Sequence, residues 1–276
     1  MKRMAVLMTV HNRRETTLRC LQLLQNQNVD VNEFSVDVYL TNDGCTDGTP
    51  EAIREKFPCV HIINGDGNLY WNRGLYAAWC EAEKFDYDYY LWLNDDTLLY
   101  DSALGQILIC SQKQGDFSIV VGSVCAIGNQ SVITYGGISQ QENPIQNVLE
   151  ITSCELMNGN FVLIPRCVYQ KIGKNNPIYH HAIGDYDYAW RAKKNEIDVV
   201  VAQGIMGECD KRNQLWKDAG QSFRVRHSDF WKFTGANPFD VFRFNKNSKG
   251  VLMACVYFLS GYLHMVFPRL YNRFLK

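Results

Sequence analysis

The chain has 276 residues, 46% of them hydrophobic, and a formal net charge of −1. That is enough for one large domain or two small ones with an ordinary core, and it argues against nucleic-acid binding by bulk electrostatics. Ten cysteines are scattered without a C-x-x-C pair or a Cys–His cluster, which argues against a zinc site and for reduced thiols rather than a disulfide framework.

Residues 4–10 form an apolar run too short for a signal peptide, because His11 and Asn12 follow at once. The run reads as a first strand, and the expected location is cytoplasmic. Leu18, Leu21 and Leu24 then repeat at helical spacing. Residues 34–41 read as a second strand, followed by a loop rich in Gly and Asp. Thr49-Pro50 reads as an N-cap with proline at the first helical position. Residues 59–63 read as a third strand, and 64–68 as a turn-rich loop. Leu75, Ala78, Trp79 and Ala82 mark the next helix, and residues 89–93, Tyr-Tyr-Leu-Trp-Leu, a fourth, buried strand. Leu104, Ile107 and Leu108 mark another helix.

Four strand–helix alternations predict a mainly parallel sheet with helices on both faces. Farther along, residues 119–124, 132–135, 161–165 and 197–202 read as strands. Residues 185–194 read as a helix, with acids in its first turn and bases in its last.

In a parallel sheet the ends of successive strands lie on one edge, where ligands bind. His11-Asn12-Arg13, Asp43, Asp66-Gly67-Asn68 and Asp95-Asp96 are therefore expected around one crevice. Asp95 and Asp96 are adjacent carboxylates at the end of a buried strand, and they repel unless a cation or donor groups neutralise them. Oxygen-only ligands there suit Mg²⁺ or Mn²⁺ held partly by a substrate phosphate. Asn-Asp-Asp-Thr is also good turn and N-cap chemistry. G-x-G-x-x-G, P-loop and G-x-S-x-G signatures are missing, which disfavours a dehydrogenase, a P-loop enzyme and an α/β-hydrolase.

These motifs together resemble family 2 glycosyltransferases of the GT-A fold, over roughly residues 4–205. Thr9-Val10-His11-Asn12-Arg13 is similar to the family's opening strand and loop. Thr41-Asn42-Asp43-Gly44-Cys45-Thr46-Asp47-Gly48-Thr49 resembles its nucleotide-base loop. Asn68-Leu69-Tyr70-Trp71-Asn72-Arg73-Gly74 resembles the loop over the sugar nucleotide. Asn94-Asp95-Asp96 matches the D-x-D metal motif with Asn in first place. Gly184-Asp185-Tyr186-Asp187-Tyr188 sits where the family has its E-D-x-D-L segment, with Gly in place of the first acid. The opening motif and the Asn68 loop look most like the rhamnosyl- and galactofuranosyltransferase branch.

The resemblance implies an inverting, metal-dependent transfer of a sugar from a UDP- or dTDP-sugar to a glycan or lipid-linked acceptor in surface polysaccharide synthesis. Asp185 is the implied catalytic base. Thr9, His11, Asn12, Arg13, Asp43, Asn68, Trp71, Arg73 and Asp95 are the implied donor contacts, with Asp43 on the base. Asp96, Asp95 and His227 are the implied ligands of Mg²⁺ or Mn²⁺. His180, His181 and Asn160 are candidate contacts to acceptor or diphosphate, and Asp187 is expected to be structural. The alternatives are an inactive carbohydrate-binding protein of the same fold and a sugar-nucleotide pyrophosphorylase, although the latter would want a glycine-rich triphosphate loop after the first strand.

The expected organisation is a catalytic domain over 1–205, with a nucleotide half to about residue 100 and an acceptor half over 101–205, and a helical extension over 206–276. Residues 251–267 carry no Asp, Glu, Lys or Arg and are flanked by basic residues. They are expected to rest on the inner face of the cytoplasmic membrane, the alternatives being packing on the catalytic domain or a homodimer contact.

Overall fold

The computed structural model describes residues 1–28, 33–141, 143–235 and 237–274. Its first half alternates as β1 (Lys2–Val10), α1 (Arg14–Gln25), β2 (Phe34–Asn42), α2 (Thr49–Lys56), β3 (His61–Asn64), α3 (Tyr70–Ala82), β4 (Tyr89–Leu93), β5 (Leu98–Leu99) and α4 (Ala103–Lys113). The second half adds β6 (Ile119–Ala126), β7 (Asn129–Tyr135), β8 (Gly137–Ile138), β9 (Thr152–Ser153), β10 (Leu156–Met157), β11 (Phe161–Pro165), α5 (Arg166–Ile172), α6 (Gly184–Lys194) and β12 (Val199–Glu208). Helices α7 (Phe223–Trp231), α8 (Pro238–Lys249), α9 (Val251–Val266) and α10 (Pro268–Phe274) follow.

One sheet runs in the order β3-β2-β1-β4-β11-β6-β12-β5, with β7 joined to β6 and β9 to β12. β1 is parallel to β2 and β4, and β2 to β3, as the alternation predicts. β11 is antiparallel to both β4 and β6, so it closes the gap between two parallel blocks.

Both faces of the sheet are buried, which explains the unbroken apolar runs. Along β1, Met4, Val6, Met8 and Val10 point to the face covered by α1, α2 and α4, while Ala5 and Leu7 point to the face covered by α3, α5 and α6. β4 splits in the same way, with Tyr89, Leu91 and Leu93 on the first face and Tyr90 and Trp92 on the second. A strand sandwiched like this has no room for a charge until it leaves the core, so the carboxylates begin just past Leu93.

β12 runs on to Glu208, past the expected boundary at 205, and the helices after it pack around Trp216, Phe230 and Met265. Among the described residues, no helix is long and apolar enough to cross a membrane.

Candidate active site

A cleft of about 840 Å³ opens along the edge where β1, β2 and β4 end. That volume suits a ligand of nucleotide-sugar size. Thr9, His11, Arg13, Asp43, Trp71, Asp95, Asp96, Asn160, His181 and Asp185 all line it.

The carboxylates after β4 hold the cleft's densest charge. Asp95 is 6% exposed. Its Oδ1 accepts from Arg13 Nη1 at 3.1 Å, and the same nitrogen donates to Asp96 Oδ2 at 2.6 Å. Thr17 Oγ1 donates to Asp95 Oδ2 at 3.4 Å, and the Cys209 thiol to Asp96 Oδ1 at 3.6 Å. Burial pushes Asp95 up to about 7; Arg13 opposes the rise and Asp96 adds to it.

Asn94 turns away from this pair. Its Oδ1 accepts from the Trp71 indole at 2.6 Å. The Trp71 ring lies so close to Gly159 that a Cβ there would stand 2.3 Å from it. Gly159 N in turn donates to Asp185 Oδ2 at 3.1 Å, while Tyr186 N donates to Oδ1 at 2.9 Å. One chain of contacts thus runs from Asn94, the residue before the carboxylates, through Trp71 and Gly159 to Asp185. Asp185 sits in the first turn of α6, and burial pushes it up to about 6 against the pull of those amides. The residue before the helix, Ile183, has φ +75°, a left-handed conformation costly for a β-branched side chain. Its strain sets the entry of α6 beside the cleft.

Asp43 is 3% exposed and already well used. Its Oδ1 accepts from Gly67 N at 2.9 Å and Leu69 N at 3.1 Å, and its Oδ2 from Tyr70 N at 2.8 Å. It staples the loop after β3 to the end of β2. His11 Nδ1 donates to the Asp43 carbonyl at 2.6 Å, and Thr9 Oγ1 to the Trp71 carbonyl at 3.2 Å. His181 Nδ1 accepts from Trp71 N at 3.4 Å; burial, with Arg212 and Arg13, lowers it to about 4, so the ring is neutral.

Other sequence candidates lie off the cleft lining. Asn12 accepts from Thr46 N at 2.7 Å and holds the first loop. Asn68 is exposed beside Asp66. Arg73 Nε donates to the Pro177 carbonyl at 2.9 Å. His180 stacks on Phe233 at 3.6 Å and lies 3.3 Å from Asp240 Oδ2. His227 is exposed on α7, where its Nε2 accepts from Trp231 Nε1 at 3.1 Å. Asp187 is buried and accepts from Arg191 Nε at 2.9 Å, a structural ion pair.

The cleft also takes residues from beyond 205: Asp210, Lys211, Arg212 and Gln214 follow β12, and Asp229 and Thr234 come from α7 and the turn after it. The signal for the first group was present, since Cys-Asp-Lys-Arg-Asn follows an apolar strand as the other polar clusters do. The second group carried no periodic signal.

Asp95 and Asp96 converge on one cationic position, held here by the Arg13 guanidinium. Two hard carboxylates fit a divalent ion that draws its remaining ligands from a diphosphate and water. Among the described residues, no group of three His, Cys, Asp or Glu side chains completes a protein-only metal cage.

Among curated proteins, none matches the sequence. The model for glycosyl transferase family 2 matches residues 5–172. Solved structures share the fold at low identity. Staphylococcus aureus TarS aligns over 100% of this chain at 11% identity and a TM-score of 0.55, and this chain spans only 46% of TarS. The TarS 1–349 complex with UDP-GlcNAc aligns at 10% identity and a TM-score of 0.56, over 100% of this chain and 76% of that one. The mannosyltransferase PcManGT from Pyrobaculum calidifontis, in complex with GDP-Man and Mn²⁺, aligns at 13% identity and a TM-score of 0.56, over 99% of this chain and 87% of its own. With the family model covering most of the central sheet and these structures sharing its GT-A architecture, the chain belongs to glycosyl transferase family 2.

Proposed function

We propose that the protein is an inverting glycosyltransferase that moves a sugar from a UDP- or dTDP-sugar to a glycan or lipid-linked acceptor, at the inner face of a cytoplasmic membrane during surface polysaccharide synthesis. One observation carries this reading: Asp185 lines the same cleft as the Asp95–Asp96 pair, yet it is held by backbone amides and takes no part in the Arg13 ion pair. Two separate carboxylate positions suit two separate tasks. TarS and PcManGT, bound to UDP-GlcNAc and GDP-Man, support the donor class.

Asp96 and Asp95 would hold a divalent ion, Mg²⁺ or Mn²⁺, once Arg13 withdraws; the ion supplies charge neutralisation on the leaving diphosphate. Arg13, Lys211 and Arg212 add positive charge on the same cleft wall. Asp185 accepts the proton from the acceptor hydroxyl as it attacks the anomeric carbon. Its ordinary value would leave it a weak base; raised to about 6, it is ionised at neutral pH and more basic than an exposed aspartate. Attack opposite the leaving diphosphate inverts the anomeric centre. Trp71 and His181 shape the sugar pocket between the two carboxylate positions.

Asp185→Asn tests the assignment. We expect nucleotide and Mn²⁺ binding to persist and transfer to fall on the order of 10²-fold or more. Transfer near the wild-type rate, or a product that retains the anomeric configuration, would remove this mechanism. A second reading, an inactive carbohydrate-binding protein, draws on Asn94, whose amide serves Trp71 rather than the cation position. Donor hydrolysis with Mn²⁺ separates the two.

A further inference from the structure

Helix α9 is turned inside out. Its inward side carries the buried Ala254 together with Gly261, His264 and Met265, which face Trp216 and Phe230. Its outward side carries Leu252, Val256, Leu259 and Leu263, spaced i, i+4, i+7 and i+11 on one stripe. These four are 78%, 49%, 59% and 48% exposed. Val251 and Cys255 widen the stripe, and Phe267 and Leu270 extend it onto α10. A helix that folds against its own protein normally shows the reverse pattern, and contiguous apolar surface of this kind marks an interaction site.

The charge around the stripe chooses its occupant. No Asp or Glu occurs from residue 241 to the end, whereas Lys246, Lys249, Arg269, Arg273 and Lys276 do; Arg243 is paired with Asp240 at 3.3 Å. A second copy meeting this face would bring like charge to like charge. An anionic lipid surface would meet apolar side chains with acyl chains and basic residues with headgroups. The helix has 16 residues, which at 1.5 Å per residue is about 24 Å, short of a roughly 30 Å hydrocarbon core. It can lie in the interface and cannot span.

We propose that α9 and the start of α10 dock the protein in the plane of an anionic bilayer through the Leu252–Leu263 stripe. Docking deepens the proposed reaction, because it presents the cleft to lipid-linked acceptors; the binding itself does not depend on that reaction.

Flotation of the full chain with phosphatidylglycerol-containing vesicles tests it. We expect most of the protein to float, far less with pure phosphatidylcholine, and less again in high salt. Leu259→Glu with Leu263→Glu should cut the floated fraction at least tenfold. Both side chains are exposed, so the melting temperature and the shift produced by UDP with Mn²⁺ should stay as in the wild type. Those two readouts test the nucleotide site separately, so its failure and the failure of docking are told apart. Failure to float, equal flotation with neutral vesicles, or a stable dimer that the same two substitutions convert to monomer would overturn the proposal, the last in favour of a second copy on this face.

Discussion

Arg13 occupies the position that a divalent ion would take in the proposed site. Its Nη1 satisfies Asp95 and Asp96 at once, so a divalent ion must displace a cation already in place. Arg13→Met should therefore raise Mn²⁺ affinity in the absence of nucleotide, by titration calorimetry, about tenfold or more, since its two charge-assisted bonds no longer have to be broken. The same variant should melt lower in chelator and recover with Mn²⁺. Asp95 adds a pH effect. Its folded value of about 7 lies above the ordinary 3.8, so the folded state holds a proton that the unfolded chain gives up. Stability is greatest below about pH 4 as far as this group is concerned, and falls as pH rises to about 7. Asp95→Asn should flatten that slope and raise the melting temperature at pH 7.5 by a few degrees, as about 1 kcal/mol or more predicts for a chain of this size. The carboxylates were legible in the sequence because the end of a buried strand must place them at the cleft, whereas Trp71, in the first turn of α3, was singled out only by the family resemblance. The use of Asp43 as a loop staple was not, because its three partners are backbone amides, which every sequence possesses.

At the scale of elements, the alternation of apolar runs with helical periodicity was enough to order β1 to α4, since a strand buried on both faces and a helix buried on one leave different patterns. The two-residue strands β5, β8, β9 and β10 left no such trace, being too short to show a period. β12 outruns its expected end at Ala202 because its pairing with β6 resumes after register shifts between Val201 and Gly207, with Gly204 at φ +91°. Helix α6 illustrates how packing aims Asp185, the proposed base. A Cβ on Gly184 would lie 2.0 Å from Asn72 Oδ1. Asn72 cannot yield easily, since its amide nitrogen donates to the carbonyls of Asn176 at 2.8 Å and Tyr179 at 2.9 Å. Gly184→Ala should therefore push the start of α6 away from α3, cost roughly 1–3 kcal/mol in urea unfolding, and reduce transfer more than nucleotide affinity. Normal stability and transfer would show that the contact relaxes freely.

Across the whole molecule, a net charge near zero conceals a division: residues 241–276 carry basic residues and no Asp or Glu, and the remainder is correspondingly acidic. Composition alone could not reveal this, and neither could it reveal that the cleft is walled by residues on both sides of position 205. The order of strands in the sheet has a consequence for how the protein is made. β4 lies between β1 and β11, so one of its edges stays unpaired until residue 165 has been synthesised. A nascent chain on the ribosome would expose that apolar edge, and exposed strand edges attract other chains. A fragment of residues 1–113 should accordingly be found in inclusion bodies, whereas one of residues 1–235, which completes the sheet, should be recovered folded; equal solubility of the two would contradict this. The strand that carries the carboxylates of the cleft is thus also the one that makes chaperone demand greatest midway through translation.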